Sequence, residues 1–336
     1  MVRIGVIGAG FMGSMHTQCY ALLPGVKLVG IADCRKEKAV ELADKFGCIA
    51  YENAGNLLKN SEVDAVDICL PTFLHKKWVI KAAKAGKHVL CEKPIALTVK
   101  DADKMVEAAD KQGVIFMVAQ VIRFWPEYVR LKEIYQKGEL GRLVSLHLTR
   151  LSPTPTWGWE NWLGTSQKSG GALIDLHIHD TDYLQYLLGQ PKSLYSVGRK
   201  VDEGYWHIMT SFKYPEMVVT AEGGWDFVDT FPFRMAFVAN FEKGVVEYNS
   251  MYTKPFAIYT PGKSEFPQLA PDSPHPSEGG GNISALGGYY NEIKYFVECV
   301  EKREKPAVVT PEEARNSLGI ALKEFKSAEK GKEIRL

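Results

Sequence analysis

Two periods divide the chain. Up to residue 120 or so, short apolar runs alternate with longer stretches of helical spacing. The runs Arg3–Ile7, Lys27–Ala32, Ala65–Leu70, His88–Glu92 and Ile115–Ala119 predict strands. Phe11–Leu23, Lys36–Phe46, Lys76–Ala85 and Val99–Lys111, between them, predict helices. Apolar strands separated by helices predict a parallel sheet covered on both faces. Further on, Leu143–Leu151, Leu194–Val201, His207–Tyr214, Val218–Trp225, Phe233–Phe241 and Gly244–Asn249 follow one another with few helices between. Turn signals such as Tyr214-Pro215 and Glu242-Lys243-Gly244 separate some of them, which predicts an antiparallel meander. Helical spacing returns at Gly170–Leu188, Tyr289–Lys302 and Pro311–Lys330. The last has Pro311 in its first turn and Thr310 as N-cap.

The expected fold is therefore α/β, a doubly wound parallel sheet over residues 1–122. An α+β domain with an open, predominantly antiparallel sheet is expected over 123–336, with the boundary near Arg123–Tyr128. Pro261–Gly288 is rich in Pro, Gly and Ser and has no period. It reads as a long surface loop, with a lid or an oligomer arm as the other readings.

Chemistry gathers at predicted strand ends. Gly8-Ala-Gly10-Phe11-Met12-Gly13 follows the first strand and opens the first helix. Such glycines allow a tight turn, backbone approach to a pyrophosphate and close helix–strand packing. The helix N-terminus offers unpaired N–H groups to the phosphates. Asp33 ends the second strand, 20 positions after Gly13, where an acid accepts hydrogen bonds from ribose hydroxyls. That favours NAD; Arg35, two residues on, keeps NADP open. Leu70-Pro71-Thr72-Phe73-Leu74-His75 and Glu92-Lys93-Pro94 follow later strands at the carboxyl edge, where open α/β sheets bind ligands. Pro94 restricts Lys93 to extended backbone.

A second cluster lies in the helical segment after Gly170-Gly171. Asp175, His179 and Asp182 are spaced i, i+4, i+7 and share one face of a regular helix. An acid–imidazole–acid stripe is costly to bury unless the groups pair or react. His177 falls on another face. Trp157, Trp159 and Trp162 crowd the preceding segment, read either as a platform for the C–H face of a sugar or as a cluster under a loop.

Bulk numbers narrow the choice. The 336 residues suffice for two domains, and 46% hydrophobic with 24% charged residues excludes a disordered chain. A net charge of +1 argues against nucleic acid or anionic membrane as partner. There is no signal-peptide layout at the start and no apolar run of spanning length. Cys19, Cys34, Cys48, Cys69, Cys91 and Cys299 form no Cys-x-x-Cys pair and read as thiols of a reducing compartment, so a cytoplasmic protein is expected. His177 and His179 lack helical ligand spacing, so no metal is expected.

Taken together, Gly8–Gly13, Asp33, Pro71-Thr72-x-x-His75, Glu92-Lys93-Pro94, Arg123-Phe124-x-Pro126 and Gly170-Gly171-x-x-x-Asp175-x-x-x-His179-x-x-Asp182 resemble the glucose–fructose oxidoreductase/inositol dehydrogenase family, also called Gfo/Idh/MocA. The resemblance runs nearly end to end. It implies a Rossmann domain followed by an open-sheet domain, and an enzyme acting on a CH–OH group. Hydride would pass between NAD and a secondary alcohol or ketone of a sugar, sugar derivative or cyclitol. It implies cofactor contacts from Gly8, Gly10, Phe11, Met12, Gly13, Asp33, Arg35, Leu70, Pro71, Thr72, His75, Glu92, Lys93 and Gln120. Lys93, Asp175 and His179 are the implied catalytic residues, and Arg123 and Trp162 join them at the substrate. In that scheme His179 takes the hydroxyl proton, Lys93 stabilises the oxygen, and Asp175 orients and tunes both. Asp182 is a structural partner. Two departures stand out: His177 replaces a commonly small residue, and Val118-Ala-Gln120-Val-Ile-Arg123 replaces a Gly/Asn/Arg-rich run.

Two other functions remain open. One is glycoside cleavage through a transient hydride step; the other is a non-catalytic dinucleotide-binding regulator. The open sheet has a face that needs cover, so a homodimer or homotetramer is expected.

Overall fold

The computed structural model describes residues 1–269 and 286–336. Most of segment 261–288 lies outside the described residues. The chain divides into two units, Met1–Phe124 with Pro271–Asn316, and Trp125–Ala270 with Ser317–Leu336.

The first unit alternates strand and helix: β1 (Val2–Ile7), α1 (Phe11–Leu22), β2 (Val26–Ala32), α2 (Lys36–Phe46), β3 (Ile49–Tyr51), α3 (Ala54–Lys59), β4 (Ala65–Ile68), α4 (Thr72–Lys84), β5 (His88–Glu92), α5 (Val99–Gln112) and β6 (Phe116–Ala119). The strands form a parallel sheet in the order β3-β2-β1-β4-β5-β6. β4 and β6 are buried at every residue, which explains their unbroken apolar runs. β3 and α3 were not predicted, because three and six residues are too few to show a period. α4 begins at Thr72, so Thr72 and His75 lie on its first turn, four residues ahead of the predicted start.

Register explains why the motifs converge. Ile7 pairs with Ala32 and with Ile68, Ile68 with Cys91, and Cys91 with Val118. The strands thus end level, and the next residues, Gly8, Asp33, Cys69, Glu92 and Ala119, share one edge. Sheet order reverses between β1 and β4, the switch point at which such sheets bind ligands.

The second unit contains α6 (Pro126–Lys137), β7 (Leu143–Pro153), α7 (Ser166–Ser169), α8 (Ile178–Leu188), β8 (Ser193–Val201), β9 (Gly204–Tyr214), β10 (Met217–Phe227), β11 (Arg234–Phe241), β12 (Gly244–Asn249), β13 (Phe256–Thr260) and β14 (Lys263–Glu265). α9 (Gly287–Lys302) belongs to the first unit. α10 (Pro311–Lys330) contributes its residues from Ser317 on to the second, and β15 (Ile334–Arg335) ends the chain. The sheet order is β14-β13-β12-β11-β7-β10-β9-β8-β15. The predicted simple meander needs correction here. Two antiparallel meanders flank β7, and β10 pairs with β7 in parallel. One face carries the buried positions Leu146, Leu148, Ile208, Phe212, Val219, Ala221 and Phe237.

The helix predicted over Gly170–Leu188 is interrupted. Gly170 takes φ +80 and Gly171 φ +74, a left-handed region that favours glycine, and this ends α7. Leu173–His177 then form a π-helical turn before α8 begins. Single π turns insert one residue into a helix and recur at functional sites. Gly223 on β10 lets this turn pack closely, since a Cβ there would sit 2.7 Å from the His177 Cβ.

Candidate active site

At the sheet edge of the first unit, each glycine of the first loop has a separate cause. Gly8 has φ +108, and a Cβ there would meet the Cys69 carbonyl oxygen at 2.2 Å. A Cβ on Gly13 would meet the Gly8 carbonyl oxygen at 1.8 Å. Both are required by the turn itself. Gly10 differs: a Cβ there would have nothing within 4 Å among the described residues. Its bareness serves no protein contact, but it leaves the N-terminus of the 12-residue α1 open to an anion.

Asp33 is buried and well fixed. One carboxylate oxygen accepts the Ala9 N–H at 2.8 Å, and the other accepts the Arg35 N–H at 2.8 Å. The Arg35 guanidinium reaches both oxygens at 3.1 and 3.0 Å. Burial raises the Asp33 pKa, but the bonds from Arg35 and Ala9 outweigh it and hold the carboxyl below its ordinary range.

The next two loops are tied together by His75, whose side chain is fully buried. Its Nε2 lies 2.7 Å from the Leu70 carbonyl oxygen and its Nδ1 2.8 Å from that of Pro94. Burial pushes this imidazole down, and a neutral ring donates its one N–H to one of the two carbonyls. The Lys93-Pro94 bond is cis. Glu92 is buried and Lys93 is half-buried.

A dinucleotide fits these residues on two observations. The open cradle at Gly10 is one. The other is that the buried Thr72 Oγ1 and both polar atoms of the Gln120 amide have no hydrogen-bond partner among the described residues. Buried polar atoms are rarely left unsatisfied, so orphans along a ligand-binding edge ask for a polar ligand. Arg123 instead serves the unit itself. It is 2% exposed, with Nη1 2.7 Å from the Val308 carbonyl oxygen and 2.8 Å from Glu313 Oε2.

The polar stripe of the second unit separates into different environments. Asp175, on the π turn, is half-buried, and His179, on α8, is 9% exposed. Asp182 is fully buried and accepts a hydrogen bond from the Ser317 hydroxyl at 2.7 Å. His177 is fully buried against α10, its Nε2 2.8 Å from Glu324. Burial lowers the His177 pKa, but the Glu324 charge and hydrogen bond outweigh it. Thr181 and Thr210 donate to the same carboxylate at 2.6 Å each. Trp162 packs on the buried cluster of Leu163, Ala172 and Trp225, together with Leu176 and Trp206. Trp157 is exposed.

Three pairings were absent from the sequence reading. Arg150 makes a bidentate bond to Asp180, at 2.9 and 2.8 Å, with both side chains buried. Glu324 collects the partners described above. His16 on α1 lies between Asp67 and Glu92. The available signal was a charged residue inside an apolar strand, as with Asp67 in Ala65–Ile68 and Arg150 in β7.

Residues 2–120 match the model of an oxidoreductase family with an NAD-binding Rossmann fold. Residues 128–247 match that of the Gfo/Idh/MocA C-terminal domain. The chain belongs to the Gfo/Idh/MocA family. Among its Gfo/Idh/MocA relatives is myo-inositol 2-dehydrogenase of Thermotoga maritima, 36% identical over 190 residues, which take in 56% of this chain and 55% of that protein. The match therefore spans about half the length of that relative. Another is scyllo-inositol 2-dehydrogenase (NAD(+)) of Bacillus subtilis, 28% identical over 345 residues, 100% of this chain and 96% of that one. A solved levoglucosan dehydrogenase, in complex with NADH and L-sorbose, shares the fold with TM-score 0.85 at 23% identity, covering 100% of this chain and 98% of that chain.

Proposed function

We propose that this protein is a dehydrogenase that moves a hydride between NAD(H) and a secondary alcohol or ketone of a sugar, sugar derivative or cyclitol. The observation that carries the reading is the level edge of the parallel sheet. It aligns an open glycine cradle, the fixed acid Asp33, the orphaned Thr72 and Gln120 groups and the half-buried Lys93. Gly8, Gly10, Phe11, Met12 and Gly13 would hold the pyrophosphate, and Asp33 with Arg35 the adenosine ribose. Leu70, Pro71, Thr72, His75, Glu92, Lys93 and Gln120 would line the remainder, with His75 acting through the loops it ties. An acid at position 33 repels a 2′-phosphate, which favours NAD over NADP.

When bound, the nicotinamide accepts or returns the hydride. His179 takes the hydroxyl proton during oxidation and returns it during reduction, as suits an imidazole. Lys93 donates to the oxygen on which negative charge develops. Asp175 orients the substrate, and Trp162 offers an apolar face to the ring. Arg123 supports the Gln120 loop from within the first unit. The inositol dehydrogenase names of the two relatives favour net oxidation over cleavage with a transient hydride. NADH formation over a panel of inositols, hexoses, their acids and nucleotide sugars tests the reading.

The open sheet face supports a homodimer or homotetramer. Tyr195, Val197, Met209, Val218 and Val238 are all more than 40% exposed there, and such apolar sheet faces are generally covered. Sedimentation that gives only a monomer removes this part of the reading. The six unpaired cysteines support a reducing, cytoplasmic setting.

A further inference from the structure

The proposed reaction gives no part to His16 and Asp67, which lie buried with Glu92 at the sheet edge. His16 and Asp67 have no exposed surface, and Glu92 is 6% exposed. The His16 Nδ1 lies 2.8 Å from Asp67 Oδ2, and its Nε2 lies 3.2 Å from Glu92 Oε1. The other Glu92 oxygen accepts the backbone N–H of Lys93 at 3.1 Å. Close contacts thus run from β4 through α1 to the backbone of Lys93, two of them hydrogen bonds and the one between His16 and Glu92 an ion pair. On the far side of the same turn, His75 holds the Pro94 carbonyl. The Glu92-Lys93-Pro94 turn is gripped from both sides.

We propose that His16 and Asp67 are positioning residues that act through Glu92 to hold Lys93 in place for the reaction. This rests on the reading that Lys93 touches the substrate oxygen. A carboxylate beside each ring nitrogen, one hydrogen-bonded and one at ion-pair distance, favours the doubly protonated imidazolium. Burial lowers the His16 pKa, but Asp67 and its neighbours outweigh that and raise it well above the ordinary value. Burial raises Glu92, and His16 outweighs it in the other direction. The groups facing His16 are Asp67 and Cys69 from β4 and its end, Glu92 from β5, and Tyr289 from α9, while Glu292 of α9 acts on Cys19. Cys19 and Tyr20 lie on its own helix. His16, Asp67 and Cys69 place ligand-type atoms within 4.8 Å of one another, and hydrogen bonds among them account for that grouping.

A buried ionic chain is a poor source of stability, since well-packed apolar residues serve as well or better. What it supplies is fixed geometry, and a displacement of about 1 Å in a reacting group costs turnover by about 10²-fold. The test combines His16→Gln, Glu92→Gln and the double variant with nitrogen-15 NMR of histidine in the wild-type protein. Turnover is expected to fall about 10²-fold in each single variant, and in His16→Gln, which lies outside the cofactor lining, NADH affinity changes little. The double variant is expected to lose no more than the worse single, because both break one chain. In the wild type both His16 nitrogens are expected to stay protonated above the pH at which an ordinary histidine loses its proton, a readout that survives if a variant fails to fold. Additive losses, or a singly protonated His16 at neutral pH, overturn the positioning role alone. Wild-type turnover in Lys93→Ala overturns the reading beneath it.

Discussion

The sheet edge of the first unit and the π turn with α8 in the second both gather acids and imidazoles, yet the two are built by different rules. At the edge, position follows from local structure. Strands end level, a glycine follows the first, and the residues after the strands lie along one edge. In the second unit, role is set by distant partners. Asp182 is held by Ser317, 135 residues away, His177 by Glu324, and Asp180 by Arg150. Residues at neighbouring positions thereby acquire opposite roles: Asp175 is half-buried and His179 is 9% exposed, whereas His177, Asp180 and Asp182 have no exposed surface. A motif read by spacing is therefore safer where the chain's own geometry decides than where tertiary contacts do.

Breaking a distant partner should have the larger effect on the fold. Arg150→Met leaves Asp180 buried without its cation and should cost about 3–5 kcal/mol in urea unfolding. A loss below about 1 kcal/mol would mean that the second unit does not depend on that pair. Gly10→Ala sharpens the other side of the comparison. Its Cβ meets no atom of the described residues within 4 Å, so unfolding should shift by less than about 0.5 kcal/mol. NADH binding, in contrast, should weaken about tenfold, because the added methyl enters the phosphate cradle. Unchanged NADH affinity would show that Gly10 is bare for another reason.

The same contrast explains what the sequence made legible. The parallel sheet, its motifs and the change of period near Arg123 follow from strand and helix spacing. The parallel pairing of β7 with β10 does not, because alternation fixes which side chains share a face but not which strand lies alongside. The π turn was hidden because an inserted residue leaves the composition of a helix unchanged, although Gly170-Gly171 marks where regular spacing breaks. His177, singled out as unusual, finds its explanation in a carboxylate near the far end of the chain. Arg123 likewise finds Glu313, 190 residues on. His16 carries no sequence signal of its pairing, because it sits within the helix that follows the glycine loop and its two acids come from different strands.

The central claim is hydride transfer with His179 as the proton-handling group. The direct measurement is NADH formation by the wild-type protein and by His179→Ala over a panel of inositols, hexoses, their acids and nucleotide sugars. At least one cyclitol or sugar should yield NADH with the wild type, and His179→Ala should turn it over about 10²–10⁴-fold more slowly with NADH affinity nearly intact. Tight NADH binding without NADH formation from any substrate, release of an aglycone without net NADH, or wild-type turnover in His179→Ala would contradict it.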